Sequence, residues 1–331
     1  MLKNLVLISV VLTFVVIVYG AFVRLTDAGL GCPDWPGCYG HLSVPESEEA
    51  RQNAKLNFPE KEIETGKAWR EMTHRYLAGM LGLLILAIAI RSWRNRHKGV
   101  PVGIPTLLVA LVIFQSLLGM WTVTLLLKPV IVTLHLIGGM TILGTLVWLA
   151  LRHTAAEPRS AGLQQLPWRK WATVGLFILM AQIALGGWVS SNYAALACTD
   201  FPLCQSQWLP PVDFHHAFQI VRDLGVTATG QALSNEALTA IHWSHRLGAL
   251  ITFTYLLIFG LFLVQVAALK FYGKLMLVFL FTQVGLGIAN VVFSLPLALA
   301  VAHNATAALL LGSVVIINFI LTRPHSNAIP S

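Results

Sequence analysis

Charge is what this sequence has least of. Only 11% of its 331 residues are Asp, Glu, Lys or Arg, against 56% hydrophobic, a balance that would leave a soluble protein short of polar atoms for its surface. The solvent is therefore largely lipid. Cysteine is scarce too, four in all, and five residues between neighbours is not the short spacing of a zinc site. A convincing cleavage site is missing after the first apolar run, whose "VVIVYGAFVRL" lacks the small-residue pattern, so that run is expected to be a retained helix. A single basic tract is missing as well. The net charge of +8 is spread over short connections between apolar runs, which argues against nucleic acid as the partner.

What is present is length of apolar chain. Runs of about 20 residues, enough to cross a hydrocarbon core roughly 30 Å thick, recur along the sequence. They predict eight helices, at 5–23, 73–90, 104–126, 129–151, 171–190, 238–266, 272–294 and 296–322. The fold class expected is thus an all-α integral membrane protein. Arg91, Arg94, Arg96 and Lys98, then Arg152, Arg159, Arg169 and Lys170, then Lys270 and Lys274, mark the cytoplasmic connections. Lys3 and Arg323 place both termini on that side. The long loops 24–72 and 191–237 then face outwards, with Glu46, Glu48, Glu49, Asp200, Asp213 and Asp223 in them.

All four cysteines fall in those outer loops, where an oxidising compartment lets disulfides persist. Equal spacing favours Cys32 with Cys38 and Cys198 with Cys204 among three possible connectivities. Unpaired thiols and a redox-active dithiol remain the other readings. The two loops also echo each other: "GAFVRLTDAGLGCPDWPGCYG" at 20–40 returns as "GGWVSSNYAALACTDFPLCQS" at 186–206. "THRYLAG" returns as "SHRLGAL", His135 as His303, Gln115 as Gln283 and Gly119 as Gly287, all near one offset of 168, and "AQIALGGWV" at 181 carries the same pattern. The organisation expected is two tandem four-helix units of parallel topology, residues 1–151 and 171–331, joined by a cytoplasmic linker at 152–170. Gly79, Gly82, Gly119, Gly138, Gly139, Gly285 and Gly287 read as close helix contacts.

Four of the eleven histidines occupy corresponding positions on predicted helices: His74 and His135, His245 and His303. An ionisable side chain in such a segment is costly and usually faces the bundle interior with a partner. Two imidazoles at similar depth suit the two axial positions of a porphyrin iron, and the same pattern repeated implies a second site. Hydrogen bonding to a neighbouring helix, or proton relay, is the plainer alternative. Glu71 lies three residues before His74, close to the same helix face, where it can act on a bound haem's edge or sit solvated at the interface. His242 holds the matching place before His245, so only the first half has the carboxylate. Arg75 and Arg246 can pair with propionates or snorkel to headgroups.

Taken in order, "GAFVRLTDAGLGCPDWPGCYG", "EMTHRYLAG", "LHLIGG", "ACTDFPLCQSQWLP", "HWSHRLGAL" and "VAHNATAALLLG" resemble the haem A synthase family of cytochrome oxidase assembly proteins, over nearly the whole chain. The resemblance implies a substrate haem in the N-terminal bundle, held by His74 and His135, with Glu71 as the catalytic carboxylate, and a haem b in the C-terminal bundle, held by His245 and His303. It implies oxidation of one methyl of haem O to a formyl group, by successive hydroxylations through a geminal diol, to give haem A. It gives Cys32 and Cys38 a redox role and Cys198 and Cys204 a more structural one. Thr199 and Phe201 depart from the proline and tryptophan frequent in related loops, which weakens an identical job for the second loop. Haem O synthase, cytochrome oxidase subunits and an electron acceptor such as quinone are the partners implied, in the bacterial inner membrane. Two other functions are compatible with paired intramembrane histidines: a dihaem cytochrome b-type electron carrier, and a duplicated proton-coupled transporter. Glu71 in one half alone, together with the cysteine loops, favours the synthase over the carrier, and a transporter would be colourless.

Overall fold

A computed structural model describes residues 2–154 and 168–322. Residues 155–167 of the expected linker, Arg159 among them, and Arg323 lie outside the described residues. In chain order the α-helices are α1 (Leu2–Leu25), α2 (Glu48–Asn57), α3 (Thr65–Arg94), α4 (Gly103–Thr124), α5 (Pro129–Thr154), α6 (Trp168–Ser191), α7 (Phe214–Ala217), α8 (Asn235–Gln265), α9 (Lys270–Val292) and α10 (Leu297–Thr322). All but α2 and α7 are long and apolar enough to cross a membrane, which gives eight such helices among the described residues. A helix satisfies every backbone donor and acceptor internally, the condition that hydrocarbon imposes.

Two of the spanning helices outrun their apolar stretches. Helix α3 begins at Thr65 rather than near residue 73, and its 30 residues span about 45 Å at the helical rise. Its first two turns carry Lys67, Arg70 and Glu71, which hydropathy cannot assign to a span. They continue the helix because the long loop that precedes them supplies partners: Trp69 donates from Nε1 to Glu46 at 2.7 Å, and the Tyr76 hydroxyl donates to the Leu42 carbonyl at 2.8 Å. Helix α8 likewise starts early, capped by Ser234, whose hydroxyl accepts the Ala237 N–H at 3.2 Å.

Contacts between helices close two rings. In the first, α1 packs on α3, α3 on α4, α4 on α5 and α5 back on α1; in the second, α6 packs on α8, α8 on α9, α9 on α10 and α10 on α6. Helices α3 and α5 thus stand at opposite corners of one ring, and α8 and α10 at opposite corners of the other. The rings join where α5 meets α6 and α10, and where α1 meets α10. In α10, 61% of the most apolar stretch is buried by protein, against 17% in α4, so α10 is the central strut and α4 a peripheral helix. Met140 and Leu143 of α5 share one apolar cluster with Leu311 and Val315 of α10, and Trp148 meets Phe319 edge to face at 5.0 Å. With lipid outside, such packing stabilises through van der Waals contact and shape rather than through removal from water. Ile8, Val11, Leu83, Phe177, Leu250 and Phe271 are exposed on the outer faces, as lipid-facing side chains are.

Local backbone geometry recurs at the offsets seen in the sequence. Leu126 and Leu127 close the turn between α4 and α5 at φ of 49° and 59°; Ser294 and Leu295 close the one between α9 and α10 at 56° and 62°. In each turn the last of these donates back to the helix, Leu127 to Thr122 at 2.8 Å and Leu295 to Asn290 at 2.7 Å, and a proline lies just beyond. Asp27 and Tyr193 share positive φ 166 positions apart, as do Tyr39 and Gln205. Left-handed backbone disfavours residues with a Cβ, so it persists where surrounding contacts impose it.

Candidate functional site

Two cysteine loops cap the rings at one end of the helices. Cys32 is bonded to Cys38 and Cys198 to Cys204, each loop containing a cis X-Pro bond, Trp35–Pro36 in the first and Phe201–Pro202 in the second. An aspartate organises each tip by accepting two backbone N–H groups: Asp34 from Tyr39 at 2.6 Å and Gly40 at 2.8 Å, Asp200 from Gln205 and Ser206 at 2.7 Å each. The Asp200 carboxyl is held below the usual carboxylate range, chiefly by the Ser206 N–H. Beneath the first loop, Cys32, Cys38, Tyr39, Val44, Ala54 and Met72 form a buried cluster, with Ala54 contributed by α2. Burial, reinforced by Glu64, Asp34, Glu71 and Glu62, pushes the Tyr39 phenol up, and its hydroxyl donates to the Glu62 carbonyl at 2.8 Å.

An arginine ties each loop to its helix. Arg75 Nη1 donates to the carbonyls of Asp34 at 2.8 Å, Pro36 at 3.3 Å and Gly37, while Nη2 bonds Glu71 Oε1 at 2.5 Å. Arg246 does the same on α8, to Leu203 at 2.7 Å and Cys198 at 3.0 Å, and its Nε donates to His242 Nε2 at 3.2 Å. Both guanidinium groups thus knit a loop to its helix.

Glu71 is 5% exposed, not a solvated interfacial charge. Its second oxygen, Oε2, accepts the backbone N–H of Cys32 at 2.9 Å. One carboxylate thus joins the disulfide loop, the arginine and α3. His242, also 5% exposed, fills the matching place with a ring.

The four histidines that correspond between the halves lie on the opposite corners of the two rings: His74 on α3 and His135 on α5, His245 on α8 and His303 on α10. Each ring lies against a glycine of a helix at the remaining corners. A Cβ at Gly20 would come within 2.8 Å of the His74 ring, at Gly119 within 3.3 Å of His135, at Gly186 within 3.0 Å of His245 and at Gly287 within 3.2 Å of His303. Only a residue without a side chain lets the backbone approach so closely. Gly79 and Gly285, expected at helix contacts, face nothing within 4 Å. Gly20 and Gly186, which the sequence reading missed, do the work instead; the signal lay in "GAFVRL" and "GGWV" occupying matching places in the two halves.

Residues of both histidine pairs fit a porphyrin. Nδ1 of His74 and Nδ1 of His303 are buried and have no hydrogen-bond partner among the described residues, so these rings have bonding capacity left over. The described residues contain no group of three or more His, Cys, Asp or Glu able to hold a bare ion.

The rings also meet each other at the loop end. Arg24 Nη1 donates to the Tyr193 hydroxyl at 2.6 Å with its guanidinium 4.0 Å from that ring's centre, and Lys128 pairs with Asp223 at 3.1 Å. Arg222 is buried against Asn192 and the Trp188 ring, and burial holds its pKa below the usual arginine value.

The chain is similar to known proteins along most of its length. A heme A synthase of Shewanella oneidensis is 43% identical over 320 residues, covering 97% of this chain and 96% of its own. One from Caulobacter sp. strain K31 is 28% identical over 338 residues, 95% of this chain and 94% of its own. One from Shouchella clausii is 32% identical over 218 residues, 64% of this chain and 66% of its own. The sequence profile of COX15-CtaA, described as cytochrome oxidase assembly protein, matches residues 3–315, and the chain therefore belongs to that family.

Proposed function

We propose that this protein is a haem A synthase, an integral membrane oxidoreductase that oxidises a methyl group of haem O to the formyl group of haem A. The observation that carries the reading is the likeness to a heme A synthase along 97% of the chain; a buried Glu71 one turn before His74, with His242 in the matching position of the second half, supports it. In this reading residues 1–151 and 171–331 are tandem four-helix bundles with both termini in the cytoplasm and the cysteine loops outside. His74 and His135 hold the substrate haem; His245 and His303 hold a haem b. The haem itself supplies the chemistry of C–H oxidation. The chain supplies position, protons and exclusion of water. Glu71, held by Arg75 and the Cys32 N–H, takes up a proton or balances positive charge at the methyl carbon. Cys32 and Cys38 lie where electrons can leave outward, towards an acceptor such as quinone. Haem O synthase and cytochrome oxidase subunits are the handover partners.

The test expresses the full chain with a haem O source and identifies extracted haems by mass. Hydroxymethyl and formyl products are expected from the wild type. A red protein that returns only unmodified haem O overturns the reading in favour of an electron carrier, and a colourless one in favour of a transporter.

A further inference from the structure

Three of the four histidines have a glutamine beside the ring, and the fourth does not. Gln115 Nε2 lies 3.1 Å from His135 Nδ1 and donates to the His135 carbonyl at 2.8 Å. Gln182 Nε2 lies 3.0 Å from His245 Nδ1 and donates to the His245 carbonyl at 3.0 Å. Gln283 Nε2 lies 3.2 Å from a ring nitrogen of His303, here Nε2, which a half-turn of the imidazole exchanges with Nδ1. Each glutamine stands four residues before the glycine under its histidine, at Gly119, Gly186 and Gly287, so amide and glycine share one helix face. Room for the amide is made three residues after the histidine: a Cβ at Gly138 would collide with Gln115 Oε1, and one at Gly248 with Gln182 Oε1, while Thr306 holds that place after His303.

Around His74 both features are replaced together. Val16 stands four residues before Gly20, and Leu77 stands three after His74. His74 Nδ1 is buried with no partner among the described residues. The Oε1 atoms of Gln115, Gln182 and Gln283 are likewise buried acceptors without a donor there. An imidazole that binds iron through Nε2 carries a proton on Nδ1 and needs an acceptor to fix its tautomer and orientation; each glutamine supplies one once its amide turns over, so that Oε1 in place of Nε2 faces the ring.

Resting on the haem reading above, we propose that Gln115, Gln182 and Gln283 are positioning residues for the iron-binding imidazoles, and that Val16 leaves His74 as the exchangeable ligand through which substrate haem enters and product leaves. The resident haem is gripped by two oriented rings. The substrate haem is gripped by one ring with an amide beside it and one without, which suits a site that must empty after each turnover. Loss of an outer hydrogen-bond partner costs metal affinity about 10–100-fold, the scale on which the two sites should differ.

The experiment uses the full chain in detergent, loaded with haem b, and follows haem transfer to apomyoglobin together with the midpoint potential. Gln182→Val with Gly248→Leu should speed loss from the second site about 10–100-fold. Val16→Gln with Leu77→Gly should slow loss from the first site by about the same factor and shift its low-spin spectrum. Gln182→Glu, a stronger acceptor in the same place, should lower the second haem's potential with no change in thermal stability, a shift that a merely structural side chain would not give and that decides the matter if the double variants fail to fold. Wild-type transfer rates and potentials in these variants, while His245→Ala strips the second haem, would overturn the glutamine inference alone. Unchanged haem content in His245→Ala would overturn the haem reading beneath it.

Discussion

Compared position by position, the roofs of the two helix rings differ in one chemical group. Both have a seven-residue disulfide loop, an aspartate-pinned tip and an arginine one turn below that collects loop carbonyls. Where that arginine meets its own helix, the first roof has Glu71 and the second His242. The carboxylate reaches the Cys32 N–H and so couples the loop's conformation to itself, whereas the His242 ring bonds Arg246 through Nε2. The two roofs share one scaffold; a single acidic side chain sets the first apart.

The sharpest way to break that comparison is to remove the carboxylate. Glu71→Gln should lower formyl haem production about 10²–10⁴-fold with haem content retained, and adding His242→Glu should not restore it, since the second site would gain an acid without a substrate. Extraction and mass analysis of the haems decide both. Next come the glycines. Gly20→Ala and Gly186→Ala place a methyl within 2.8 Å and 3.0 Å of a ring and should each destabilise by about 1–3 kcal/mol, the first read in product and the second in retained haem. Gly79→Ala and Gly285→Ala, with open space around them, should be indistinguishable from wild type in both measurements.

Opening the disulfides sharpens the contrast further. Serine at Cys198 and Cys204 should lower stability by about 2 kcal/mol, the entropy of a short closed loop, and leave turnover intact. Serine at Cys32 and Cys38 should lower turnover too, because the Cys32 N–H loses its fixed place against Glu71. The smallest effect concerns Asp200. Its folded pKa is depressed, so its contribution is present above the unfolded value of 3.8 and is lost as pH falls through the folded one. Asp200→Asn should therefore narrow the difference in melting temperature between neutral and strongly acidic solution.

Legibility in the sequence was uneven for physical reasons. Apolar runs located all eight spanning helices because hydrocarbon demands length and composition together, yet they ended short at α3, whose first turns are polar and stabilised by a loop remote in sequence. The cysteine pairs were visible from equal spacing. Glu71 was visible as a residue three before His74, but not as a buried group, because burial comes from the loop folded over it. The repeated glutamine and glycine pairs were legible as a pattern; their contact with the histidines was not.

By itself the sequence determined that this chain lives in lipid, how many times it can cross, and that histidines and cysteine loops come in matching sets, since each of these follows from composition or spacing along one chain. Only the tertiary structure decided which helices stand at opposite corners, which glycines lie under imidazoles, and which rings have a glutamine amide beside them. Those are relations between helices, and packing between separate helices depends on close approach that no single segment encodes.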